Sequence, residues 1–97
     1  MKAIRKRPGE EPETIDIENT LAALQAEVGG YIEAVTVSKD AAVICNEEGR
    51  ILGLPDNCRV CSVDFVGTVL IVGTKGDEFC DAPDSDFWLR ELKEEWA

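Results

Sequence analysis

The segment ENTLAALQAEVGGYIEAVTV, residues 18–37, constrains the fold most, because a short helix must end at a double glycine and pass directly into a strand. Asn19 or Thr20 can cap the first turn, and apolar residues at i, i+3 and i+7 form one stripe along the helix: Leu21, Leu24 and Val28. Gly29 can take the left-handed conformation that ends a helix without steric cost. Residues 31–37 are rich in β-branched side chains, which predicts a half-buried strand.

Short elements separated by turn residues fill the rest of the chain. Their patterns predict strands over 2–7, 13–17, 41–45, 50–52, 65–72 and 78–80. The most apolar run, FVGTVLIV at 65–72, predicts a central strand covered on both faces. Asp84 or Ser85 can cap a terminal helix with the apolar stripe Trp88, Leu89, Leu92 and Trp96. We predict a single small α+β domain over residues 1–97, with a mostly antiparallel sheet and two helices packed on one face, in the order ββα-βββ-β-β-α.

The composition argues against catalysis. The 97 residues include no histidine, which removes the commonest general base, the usual activator of serine and cysteine nucleophiles, and the usual zinc ligand outside all-cysteine sites. We therefore expect no enzyme activity and no cofactor, with an enzyme or small-ligand binder as the alternative. No run is apolar enough to cross a bilayer, and the basic opening leads into Pro8-Gly9-Glu10, so we expect no signal peptide and a cytoplasmic protein.

The charge is strongly negative and unevenly distributed. Twenty acids and ten bases give a formal net charge of −10, which disfavours direct contact with nucleic-acid phosphates. Four of the ten bases lie within residues 2–7, whereas residues 77–95 hold eight of the twenty acids. We predict a protein partner that contacts the end of the chain, with a basic patch opposite: Asp84, Asp86, Trp88, Glu91 and Glu95, then Lys6 and Arg7. The alternatives are that the charge serves only solubility and that Trp88 only docks its helix onto the core.

Four cysteines are the one group of residues with reactive chemistry. Cys58 and Cys61 have the C-x2-C spacing of a metal knuckle, and Cys45 and Cys80 would have to converge on them to complete an all-cysteine zinc site. A redox disulfide between Cys58 and Cys61 is a second hypothesis. The third is that Cys45 and Cys80 are small buried apolar residues and the other two are ordinary reduced thiols.

Several separated motifs, in order along nearly the whole chain, resemble a known family. They are the opening MKAI with a following Pro-Gly, IEN before the first helix, VGGYIEAV, ICNEEG, LGLP-x-N, VGT-x-LIVG and GDEFC. The chain is thereby identified as a member of domain-of-unknown-function family 3846. The resemblance implies an accessory product of bacteriophages, conjugative plasmids or integrated elements and supplies no catalytic residues. Lys6-Arg7 departs from the apolar or acidic pair usual there, and Cys58 and Cys61 fall in a variable stretch.

Three classes of function follow from these observations. The first is a non-catalytic accessory protein that binds a host or element-encoded protein, and a sharper form of it is an anti-defence inhibitor whose acidic surface imitates nucleic acid. The second is a self-associating structural or regulatory domain, such as a homodimer formed through a sheet edge or the tryptophan helix. The third is the enzyme or small-ligand binder.

Overall fold

The computed structural model describes residues 1–94, which form eight strands and two helices. The strands are β1 (Lys2–Lys6), β2 (Glu13–Asp16), β3 (Ile32–Ser38), β4 (Ala41–Asn46), β5 (Asp56–Val60), β6 (Val63–Val66), β7 (Val69–Lys75) and β8 (Glu78–Cys80). The helices are α1 (Leu21–Val28) and α2 (Ser85–Glu94). Trp96, which the sequence places on the apolar stripe of the terminal helix, lies outside the described residues.

Six strands form one antiparallel sheet in the order β2-β1-β7-β4-β3, and β8 pairs with the far end of β7. The central strand is β7, as its apolar sequence predicts, and its residues from Val69 to Gly73 are buried. β5 and β6 pair only with each other among the described strands and form a separate hairpin. The long edge of the main sheet is β3, and the other edge is the four-residue β2.

The α+β class is confirmed, but the two helices lie on opposite faces of the sheet rather than on one. On one face, Leu24 and Val28 of α1 pack with Ile44, Leu70 and Val72. On the other face, Trp88 and Leu92 of α2 and the β5–β6 hairpin pack with a second set: Ile4, Val43, Val69 and Ile71. Successive strand residues point to opposite faces, so a central strand that is apolar throughout must be covered on both sides. The sheet is therefore the middle layer.

The helix-to-strand junction at the double glycine is confirmed. The side chain of Thr20 accepts a hydrogen bond from the Ala23 amide at 3.2 Å and caps α1. Gly29 ends the helix at φ 78°, and its amide donates to the carbonyl of Gln25. Leu24 and Val28 are buried, whereas Leu21 is exposed on the first turn. The helix is attached to the sheet through its last two turns.

Two strand predictions are wrong in the middle of the chain. Residues 50–52 belong to a turn that leaves Ile51 and Leu52 exposed, and the strand that follows is β5. The apolar run 65–72 is also divided, because β6 ends at Val66 and β7 begins at Val69. Gly67 stands between them at φ 71°, a conformation that ends an extended run. No helix among residues 1–94 is long and apolar enough to span a membrane.

Candidate functional site

A groove lies where the N-terminal half of α2 faces two turns of the sheet layer. One wall is the end of β3 with the turn into β4, residues 37–40, and a second is Val60 at the end of β5 with the turn residue Cys61. The third wall is Phe87, Trp88 and Glu91 of α2, together with Asp84 directly before the helix. The cavity is about 580 Å³, large enough for one or two side chains of a bound molecule.

Helical spacing explains which α2 residues reach the groove. Phe87 and Glu91 stand at i and i+4 and therefore lie on one side of the helix, and Asp84 directly precedes the first helical residue, with its backbone at φ 49°. Trp88 and Leu92 occupy the neighbouring stripe and are buried in the core. The sequence thus carries two adjacent stripes on α2, an apolar one for the core and a mixed one for the groove.

The two neighbouring aromatics of α2 have different roles. Trp88 is only 6% exposed and packs in the core, as expected if it docks the helix. It also borders the groove, and its contact with a partner stays a prediction. Phe87 remains 45% exposed, and its ring meets Trp88 edge-to-face at 4.9 Å and 84°. Phe87 was not among the predicted contacts, and the signal for it is a large apolar residue outside the core stripe. The exposed apolar anchor is therefore Phe87.

Acidic side chains surround Phe87. Asp84 and Glu91, both predicted contacts, line the groove with Asp40, and Lys39 is the one basic residue among the lining residues described. Ser38 holds the turn, because its hydroxyl donates to the Asp40 carboxylate at 3.0 Å and accepts from the Asp40 amide at 3.4 Å. Asp86 is exposed on the first turn of α2, and Glu95 lies outside the described residues. The groove thus combines one aromatic surface with net negative charge.

Cys61 lies on the floor of the groove and is exposed. It begins the turn between β5 and β6 at φ 49°, and its thiol donates to the carbonyl of Val37 at 3.5 Å. Val37 has no register partner on β4, because the pairing shifts between Thr36 and Ser38. The thiol therefore satisfies a carbonyl at the bulge of the edge strand.

The cysteines do not come together in the all-cysteine zinc site that was one of the three hypotheses for them. Among residues 1–94, no group of three or more cysteine, histidine or carboxylate side chains comes close enough to hold a metal ion. Cys45 and Cys58 are buried, Cys80 is half-buried, and all four thiols are unbridged. Burial raises the pKa of Cys45 and of Cys58 to about 11, so both thiols are protonated near neutral pH. This environment also disfavours the redox hypothesis, which needs a thiolate at Cys58.

The predicted basic patch at Lys6 and Arg7 is wrong for Lys6, which is fully buried. Its ammonium donates to the Arg7 carbonyl at 2.8 Å and to Asn57 Oδ1 at 3.0 Å, and desolvation lowers its pKa. The Asn57 amide in turn donates to the carbonyls of Lys6 and Gly67, each at 2.7 Å. Arg7 is exposed and lies 3.8 Å from Glu10. Lys6 therefore joins the β5–β6 hairpin to the sheet instead of facing a partner.

A second cavity, of about 460 Å³, lies alongside the first. It lies between Glu33 and Val35 of β3, the turn after β4, and the β5–β6 hairpin from Ser62 onwards. Val35 of β3 and Ser62 of the hairpin turn border this second cavity, whereas Val37 and Cys61 border the first. The two cavities therefore follow one another along β3.

Fold and groove together define a small α+β protein with an open acidic groove along one sheet edge. The chain belongs to the family described as "Domain of unknown function (DUF3846)", which matches residues 1–97 and confirms the resemblance read from its motifs. No curated protein and no solved structure matches the chain.

Proposed function

We propose that this protein is a non-catalytic binding protein whose groove at α2 accepts a basic segment of a partner protein. The observation that carries the proposal is Phe87, a large apolar side chain left 45% exposed in a groove that acids surround. An exposed aromatic anchor with a polar rim is typical of protein interfaces. Asp40, Asp84 and Glu91 would meet lysine or arginine side chains of the partner, and Phe87 would meet an apolar side chain between them.

The chemistry of the groove supports binding over catalysis. The Cys61 thiol and the Ser38 hydroxyl, which line it, have no histidine to activate them, since the chain contains none. Cys45 and Cys58 are buried, and burial raises the pKa of both thiols. A binding role needs none of these activated groups.

We further propose that the protein acts in the cytoplasm as an accessory product of a phage or another mobile element. The unbridged state of the four cysteines supports a reducing compartment. The mobile-element setting rests on the resemblance of the motifs to the family. The partner would then be a host or element-encoded protein.

Selection of random peptides on the immobilised protein tests the binding proposal. We expect the retained peptides to share lysine or arginine next to an apolar residue. They should bind Phe87→Ser much more weakly than the wild type, because the apolar anchor is lost. The matched control is Leu21→Ser, which removes an apolar side chain that is 59% exposed on the opposite face and should leave binding unchanged.

Two results would overturn the proposal. One is that no peptide is enriched over the bare support. The other is that Phe87→Ser and Leu21→Ser retain the same peptides equally well, because binding would then not involve the groove. An enrichment of nucleic-acid-binding proteins from a host lysate, lost when the acids at positions 84 and 91 are neutralised but kept in Phe87→Ser, would support the nucleic-acid mimic instead.

A further inference from the structure

The two edges of the main sheet are built differently. β2 is four residues long, carries two acids, and is held by the ion pair of Glu13 with Arg5. β3 is seven residues long and carries one charged residue, Glu33. Short and charged edge strands resist pairing with other chains, whereas long edges with few charges accept it. Of the two strands at the ends of the order β2-β1-β7-β4-β3, β3 is therefore the one suited to an added strand.

The groove follows this open edge. Val35 and Val37 pack toward the α2 face, and each borders one of the two cavities that run beside β3. The opposite side of both cavities is the β5–β6 hairpin, at Cys61 and Ser62. A strand laid against β3 would point alternate side chains into these cavities and the remaining ones toward the α1 face. The shape of the groove thus matches the side-chain period of an extended chain.

The charges along the groove select the occupant. Six acids and two bases line the two cavities, and one of the acids, Asp64, is already paired with Arg59 at 3.0 Å. Of the bases, Arg50 already donates to the main-chain carbonyl of Asp64 at 2.7 Å. A second copy of this chain would bring another net charge of −10 to the same place, whereas a basic segment would neutralise the acids. The favoured occupant is a partner segment with lysine or arginine.

We infer that the partner segment binds as an extended strand added to the outer edge of β3, with alternating basic and apolar residues. This inference rests on the proposed function and specifies its binding mode. Main-chain hydrogen bonds to β3 supply affinity, and the two cavities with Phe87 select the side chains. The bulge at Val37, whose carbonyl already accepts from the Cys61 thiol, interrupts the edge, so the added strand pairs with the residues of β3 that precede it.

The test uses a capped peptide of alternating valine and lysine, as long as β3, added to the full chain. Its binding is measured by calorimetry, and amide hydrogen exchange is followed by NMR. We expect exchange to slow at β3 amides and to stay unchanged at β2, the other edge, which serves as the internal control. The same peptide with glutamate for lysine should not bind, because like charges meet.

Backbone methylation separates an added strand from other modes of binding. Two methylated peptides are made. One carries N-methyl groups on the alternate amides that point to one edge of the strand, and the other carries them on the amides that point to the opposite edge. A strand that pairs through one edge, with its lysines toward the acids of the groove, predicts an asymmetric result. One methylated form keeps its affinity, and the other loses about tenfold or more because backbone hydrogen bonds are lost.

The outcomes distinguish failure of the binding mode from failure of the function. If the peptide binds wild type but not Phe87→Ser, and neither methylated form is weakened, strand addition is overturned and the binding function stands. If β3 amides become protected with rising protein concentration in the absence of peptide, the occupant is a second copy and the inference is overturned. If the lysine peptide does not bind, the inference is also overturned, while the random-peptide selection decides the function separately.

Discussion

At the scale of single residues, the buried pair of Lys6 and Asn57 shows how a polar contact can position a whole hairpin. Asn57 is 8% exposed and uses both ends of its amide, as donor to two carbonyls and as acceptor from the Lys6 ammonium. Each of these groups is removed from water and needs its partner. The sequence gives no sign of this, because a lysine in a basic strand is ordinarily exposed.

Asn57→Ala should lower the free energy of unfolding by about 2–4 kcal/mol, since it removes three hydrogen bonds of a buried network, two to main-chain carbonyls and one from the Lys6 ammonium. Asn19→Ala is the matched control. The Asn19 side chain is exposed and donates to the Phe79 carbonyl at 2.9 Å, so its loss should cost about 1 kcal/mol or less. Urea unfolding followed by tryptophan fluorescence measures both. If both variants lost the same free energy of unfolding, the buried hydrogen bonds of Asn57 would contribute no more than the exposed hydrogen bond of Asn19.

The buried thiols of Cys45 and Cys58 predict a loss of stability in alkali. Burial raises their pKa from the ordinary value of 9.0 to about 11, so the folded chain keeps both protons where the unfolded chain releases them. The stability from the neutral thiols is therefore complete below pH 9.0 and is lost as the pH rises toward 11. Lys6 acts in the opposite direction, because its lowered pKa makes folding more favourable as it deprotonates.

The Cys45→Ala, Cys58→Ala double variant isolates the effect of the thiols. Its stability should fall less steeply with pH than that of the wild type over this range, although its stability at neutral pH is lower. Cys58 also raises the pKa of Lys6, so Cys45→Ala alone, which leaves that pair in place, is measured beside the double variant. The measurement is urea unfolding at a series of alkaline pH values under reducing conditions. If the free energy of unfolding fell equally steeply with pH in both proteins, the alkaline loss of stability would not come from these two thiols.

At the scale of elements, local signals predict helix ends and turns well but do not predict which face an element covers. Thr20 and Gly29 act within a few residues of one another, so α1 could be located from its sequence. The position of α2 on the opposite face depends on which strands become neighbours, and strand order is a long-range property. Residues 50–52 have a strand-like composition, yet tertiary structure places them in a turn.

Gly67 lies between β6 and β7, although the apolar run 65–72 predicts one continuous strand there. A Cβ atom at this position would lie 2.7 Å from Leu54 Cδ1, and the backbone is at φ 71°. Gly29 has a similar φ of 78° but open space around it. Gly29→Ala should therefore cost about 1 kcal/mol from backbone strain alone, and Gly67→Ala about 1–3 kcal/mol.

A double-mutant cycle checks the cause of the difference. In a Leu54→Ala background the extra cost of Gly67→Ala should disappear, because the side chain that the new methyl group would meet is gone. The two glycine variants would then differ little. An excess cost that persists without Leu54 would place the constraint in the backbone of the β6–β7 connection instead.

At the scale of the whole molecule, the net charge of −10 acts together with the shape of the groove. Two of the predicted contacts, Asp84 and Glu91, line the groove, and the basic strand that was expected to oppose them is largely paired within the protein. Arg5 pairs with Glu13 and Glu27, and Lys6 is buried. The acidic residues near the end of the chain could be predicted as a contact surface from composition. The groove could not be predicted in this way, because it forms only where α2 packs against two turns.

The charge predicts how binding depends on salt. The affinity of a selected basic peptide should fall several-fold from low to high ionic strength, because exposed charges are screened. Neutralising two acids with Asp84→Asn and Glu91→Gln should reduce both the affinity and its salt dependence. Neutralising the base with Lys39→Gln should raise the affinity at low salt. An affinity that does not change with salt or with these variants would assign binding to apolar contact alone.

The most direct test of the binding role is photo-crosslinking in cells that naturally carry the protein. A photoreactive phenylalanine analogue replaces Phe87 in one protein and Leu21, exposed on the opposite face, in the other. We predict that position 87 crosslinks to one partner protein, through a segment rich in lysine or arginine next to apolar residues, and that position 21 does not. Absence of a crosslink at position 87, or the same set of crosslinks from both positions, would contradict a binding groove at α2.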